Sequence, residues 1–74
     1  MPLAMATPGG ELRLTAIRGG HCIRRRLADL GLNVGTLLHV VQYSGHGAVI
    51  IAVKGTRMAI GRGMAHHILV EPVI

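Results

Sequence analysis

Two groups of side chains in this sequence have types that do chemistry: paired imidazole and thiol donors, and a run of arginines. His21 adjoins Cys22, and His66 adjoins His67. Imidazole and thiolate bind metals, but strong sites space them at i, i+4 on a helix or as Cys-x-x-Cys. Adjacent residues face apart, so these four are solvated or half-packed side chains first and only weak metal candidates second. Weak binding of a divalent ion, such as zinc held between two molecules, is the most they support, and no cofactor is certain. Iron(II) favours carboxylates beside imidazole, and Glu11, Asp29 and Glu71 are the only acids, widely separated. That scatter offers no paired-carboxylate site. No G-x-x-x-x-G-K-[ST] loop is present, and Gly61-Arg62-Gly63 lacks the third glycine of a dinucleotide fingerprint. His21 and Cys22 would point apart at a helix start, so they make no base and nucleophile. An enzyme is not expected.

The arginines stand together as Arg24-Arg25-Arg26, inside a short amphipathic helix predicted over residues 20–30. Ile23, Leu27 and Leu30 recur at i, i+4 and i+7 and form its apolar stripe. Gly31 sits where a helix takes a left-handed stop. Three cations in the first half of a helix oppose its dipole, at roughly 0.3–1 kcal/mol each if exposed. Asp29, at i+4 from Arg25 and i+3 from Arg26, returns only about 0.2–0.5 kcal/mol. A cost of this kind points to a partner for Arg24, Arg25 and Arg26, with Arg57 and Arg62 extending the site if folding brings them near. The plainer alternative, a solvated charged face, stays open. Cys22 reads as a small apolar helix residue rather than a redox sensor.

These groups must be carried by a small scaffold. Seventy-four residues suit one domain, which buries only about 60% of its unfolded surface. One cysteine forms no internal disulfide, so packing or oligomerisation has to stabilise the chain. A lone thiol is consistent with a reducing cytoplasm. The net charge of +5 suggests an acidic partner. Tyr43 is the only aromatic ring besides the histidines, which argues against single-stranded nucleic acid, where rings serve as stacking platforms. No apolar run approaches the ~20 residues that span a bilayer, and the first residues do not form a signal peptide. The expected location is the cytoplasm, with no direct membrane insertion; any membrane role passes through a partner.

The elements follow from periodicity and breakers. Residues 12–17 alternate as a strand, with Leu12, Leu14 and Ala16 on one face. Strands are predicted over 36–43, 48–54, 57–60 and 68–70, with Ser44-Gly45-His46-Gly47 as a hairpin loop and 61–67 as a turn or one helical turn. Five short strands rich in turn signals make a small barrel the natural architecture, with one helix after the first strand. Period-2 reading puts Leu37, Val41 and Tyr43 outward with His39, and Ile50 likewise. They form either an exposed apolar interface, as in a homo-oligomer, or a face covered by the helix or the N-terminal segment.

At this level the residues show a family likeness. Ile17-Arg18-Gly19-Gly20, Arg24 through Leu32, and Gly35-Thr36 resemble ferrous iron transport protein A, FeoA. So does the run Val53-Lys54-Gly55-Thr56-Arg57-Met58-Ala59-Ile60-Gly61-Arg62, followed by Ala65 and Ile68. Leu3, Pro8 and Gly9 match the family's leading leucine and Pro-Gly, so the likeness covers nearly the whole chain, 1–74, as a single unit. It implies a mainly β fold, an SH3-like barrel of about five strands with a short helical turn before the last. It also implies a cytosolic accessory to FeoB, a membrane ferrous iron transporter with a G domain, and a place at the inner face of the membrane through that partner. The chain departs from the family pattern at Ala6, at Val34 in place of proline, and in the non-acidic segment Gly63-Met64-Ala65-His66-His67. Two other functions are kept beside this one. One is a small basic nucleic-acid-binding barrel; the other is a stand-alone metal-sensing domain like the C-terminal domain of iron-dependent repressors.

Overall fold

The computed structural model describes every residue except His46 and Ile74. Five strands, β1 (Leu12–Ile17), β2 (Leu37–Tyr43), β3 (Ala48–Val53), β4 (Thr56–Gly61) and β5 (Ile68–Pro72), form one antiparallel sheet in the order β4-β3-β2-β1-β5. Helix α1 (His21–Asp29) joins β1 to β2, and the single turn α2 (Arg62–Ala65) precedes β5. Types and order match the expectation, and boundaries move by one or two residues for local reasons. Thr36 belongs to a turn instead of β2: its hydroxyl accepts from the Asn33 amide (3.2 Å) and its amide donates to the Asn33 carbonyl (3.0 Å). Lys54 leaves β3 because Lys54-Gly55 is a two-residue hairpin turn, with φ of 51° and 78°. Two successive positive φ values define the turn type whose twist suits adjacent strands. The loop expected over 44–47 falls partly outside the described residues, at His46. On either side of it the Ser44 amide donates to the Ala48 carbonyl (2.8 Å).

Alternation along the strands sends Leu14, Val40, Ile51 and Val70 into a core that is aliphatic throughout. Among the described residues it holds no polar or charged side chain. Two bulges interrupt the alternation and correct the facing read from sequence. Between β1 and β5 the register shifts across Thr15, so Leu14 pairs with Val70 but Ile17, not Ala16, pairs with buried Ile68. Between β2 and β3 it shifts across Val41, so Tyr43 pairs with buried Val49. One extra residue reverses every later side chain, because strand facing has a period of two. Tyr43 therefore shares a row with inward-facing Val49, yet at the barrel's end it stays exposed, as Leu37 does.

The N-terminal residues make a 3₁₀ turn, Leu3–Met5, that the sequence pattern does not announce. Leu3 and Ala6 are buried, and the segment lies along β5: Pro2 bridges Leu69, and the Val70 amide donates to the Met1 carbonyl (2.7 Å). An otherwise bare sheet edge is covered in this way. The Tyr43 hydroxyl fastens the segment, contacting the carbonyls of Ala4 (3.3 Å) and Ala6. Tyr43→Phe is expected to lose about 0.5–1.5 kcal/mol, the net worth of a typical intramolecular hydrogen bond. In a domain of this size that lowers the melting temperature by roughly 2–12 °C. An unchanged melt would mean that this anchor does not contribute to the fold.

Candidate functional site

The presentation of α1 is set by glycines at both ends. Gly19 turns the chain out of β1 at a φ of +115°, and Gly20 is the N-cap in extended backbone. The cap has no side-chain hydrogen bond, and the first turn contains no acid. At the other end Gly31 reverses the chain at φ +85°. The Gly31 amide donates to the Ala28 carbonyl and the Leu32 amide to the Leu27 carbonyl, each at 2.9 Å. This pair of bonds is a Schellman stop, and its apolar contact is met by Leu27 and Leu32, both fully buried.

That stop corrects the stripe read from periodicity. Ile23 and Leu27 face the sheet as expected, but Leu30 is 49% exposed. Leu30 is the last right-handed residue before the reversal, and Leu32 returns to the core in its stead. The position of the arginines along the helix is corrected too. Because α1 runs from His21 to Asp29, Arg24, Arg25 and Arg26 are its fourth, fifth and sixth residues, and Arg26 already belongs to the last turn. The dipole cost is accordingly smaller than the sequence suggested, since the effect fades beyond the terminal turns.

All three arginines are exposed. Three successive residues cover about 200° of the helix circumference, so the guanidinium groups fan outward and do not form a point cluster. Asp29 is exposed, and among the described residues it forms no ion pair with Arg25 or Arg26. Arg26 borders a shallow hollow with Cys22 and Ile23. Arg24 borders another with Thr15, Ala16, Ile17, Asn33 and Val34. Arg57 lies in β4, at the far side of the sheet order from β1, and Arg62 opens α2. Both are exposed, and neither lines a hollow that α1 lines.

The four metal candidates do not assemble. His21 and Cys22 are exposed on the first turn of α1, and His66 is exposed after α2. His67 lies against the turn that precedes α1: its carbonyl accepts from the Arg18 amide (2.7 Å), and its Nδ1 is 3.6 Å from where a Cβ on Gly19 would stand. Among the described residues no three of His, Cys, Asp and Glu gather as a metal site would require.

The outer face of β2, where the sequence placed Leu37 and His39, forms a second surface, and Lys54 at its end was not foreseen. An open groove of about 710 Å³ runs along the outer side of β2 and β3 to the hairpin tip, lined by residues including Val34, Leu37, His39 and Lys54. The signal for the lysine at its tip was Lys-Gly between two strands, where a tight hairpin would normally take Asn-Gly or Asp-Gly.

Comparison with known proteins adds the family. The FeoA domain family matches residues 1–72. A Methanocaldococcus jannaschii protein described as an Fe(2+) transport protein A is 43% identical over 70 residues, covering 95% of this chain and 84% of that protein. The chain belongs to the FeoA family. The crystal structure of an iron uptake regulatory protein, FeoA, superposes with a TM-score of 0.87 at 36% identity, over 97% of this chain and 95% of that one. The SH3-like barrel expected from the sequence is thus the observed fold. The crystal structure of ScaR with bound Zn2+ shares it at a TM-score of 0.91, but at 22% identity and over 37% of its own length, a likeness of fold alone. No helix among the described residues is long and apolar enough to cross a membrane.

Proposed function

We propose that this FeoA-family chain is a cytosolic accessory factor of ferrous iron transport, acting as a single docking unit that regulates a FeoB-type membrane transporter. The work is binding rather than catalysis. Family membership and the Fe(2+) transport relative support the pathway. The docking reading rests on one observation: Arg24, Arg25 and Arg26 are exposed on α1 and, among the described residues, unpaired even with Asp29 nearby. Guanidinium groups free of internal partners keep their hydrogen-bond forks available to carboxylates on another protein. Such charges raise association rates and fix orientation more than they add raw affinity.

The test is a titration with the cytosolic part of the FeoB-type transporter, followed by amide shifts. Shifts should concentrate between Ile23 and Asp29 and on the adjoining Asn33-Val34 turn. The triple variant Arg24→Gln, Arg25→Gln, Arg26→Gln should bind at least tenfold more weakly. Its unfolding free energy should stay within about 0.5 kcal/mol of the parent, as for surface changes in general. Equal affinity in the triple variant would remove the arginines from the docking face.

A further inference from the structure

Beyond the arginine helix, we infer that the outer groove of β2 and β3 binds an extended acidic–apolar segment of a partner polypeptide, with Lys54 and Arg57 taking its carboxylates. The inference does not depend on which protein α1 meets. Strand register is its foundation. His39 pairs with Ala52, and Ala52 pairs with Arg57, so the three form one row across the outer face. Adjacent strands lie about 4.8 Å apart, which separates the His39 and Arg57 backbones by roughly 10 Å. Only the methyl of Ala52 stands between them. A space of that width above a small residue admits a carboxylate group that a long arginine side chain can reach.

Lys54 closes one end of the groove. Among the described residues it is the only non-glycine with positive φ, at 51°. Asn or Gly would relieve the strain that a lysine bears there. A residue kept in an unfavourable conformation is a reason to look for function. Here the strain holds an ammonium group at the rim of a hollow. Along the same groove lie Val34 and Leu37, 66% and 43% exposed, and one acid, Glu11. Lys54 at one end, Arg57 beside the lining on β4 opposite Ala52, and apolar walls along the side suit alternating acidic and apolar residues. A nucleic acid would need stacking rings, and Tyr43 is not among the residues that line the groove. Val34 also borders the hollow beside Arg24, so the groove adjoins the arginine helix.

Two capped peptides, Glu-Leu-Glu-Val-Glu and Gln-Leu-Gln-Val-Gln, and inorganic phosphate serve as probes in amide-shift titrations of the full chain. The acidic peptide should move Leu37, His39, Ala52, Lys54 and Gly55, and the glutamine peptide should bind at least tenfold more weakly. Lys54→Asn with Arg57→Gln should weaken the acidic peptide at least tenfold; asparagine suits the turn, so folding is retained. The triple arginine-to-glutamine variant of α1 should bind it within twofold of the parent, which separates this site from the docking helix. No shifts, shifts confined to α1, or equal binding of both peptides would each overturn the proposal. So would phosphate moving the same amides at the same concentration, because the groove would then be a small-anion site.

Discussion

Leu27→Ala is expected to destabilise the chain by about 2–5 kcal/mol, the range for removing a buried leucine side chain. Leu27 is fully buried and is the one residue of α1 that is. Ile23 assists from a half-buried position, and Leu32 meets Leu27 at the helix stop. Truncation would therefore open a cavity under α1 and weaken the apolar contact of the Schellman turn together. A domain of this length has roughly 4–11 kcal/mol of stability in all, so the variant should unfold at a much lower denaturant midpoint. Leu27→Met keeps the volume and should lose less than about 1.5 kcal/mol. Denaturant unfolding of the two variants checks this directly. A loss under about 1 kcal/mol for Leu27→Ala, well below the usual range for a buried leucine, would show that α1 is not held by this side chain. The variant also bears on function: it should lose docking with all three arginines present, because their carrier is no longer fixed.

The second large effect is expected at Gly19. Its φ of +115° lies where side-chain-bearing residues are strained, and a Cβ there would stand 2.8 Å from Cδ1 of Ile23. The isoleucine tip is flexible and can swing aside, so the backbone carries most of the cost. Gly19→Ala should destabilise by about 1–3 kcal/mol. Gly20→Ser makes a close control, since that residue is extended at φ −78° and a Cβ there would meet nothing within 4 Å. A serine there supplies the missing cap, so stability should hold or rise by a few tenths of a kcal/mol. Thermal melts of the pair separate the conformational demand of Gly19 from a general intolerance of the loop. If the two behave alike, the left-handed turn is not what directs α1.

Much of this architecture is legible because it depends on neighbours in the chain. The alternation of Leu12 and Leu14, the stripe of Ile23 and Leu27, and the stop at Gly31 are local patterns that produce local structure. The resemblance carried by the glycines and the run from Arg24 to Leu32 likewise pointed to the family that the comparison shows. The bulges at Thr15 and Val41 were not legible, because the pairing strand decides where a ladder skips a residue. With them went the facing of Ala16 and Ile17. The helix periodicity chose Leu30, yet the reversal at Gly31 handed its place to Leu32.

The candidate surfaces divide along the same line. Sequence alone determined that three adjacent arginines ride on a short helix in a basic, enzyme-motif-free chain. Charge and composition need no fold to be counted. Only the tertiary structure decided that those arginines are mid-helix and exposed, that Arg57 and Arg62 lie away from the hollows of α1, and that His39, Ala52 and Arg57 share a row. Strand register and side-chain burial couple residues distant along the chain, and spacing in sequence contains no measure of that coupling.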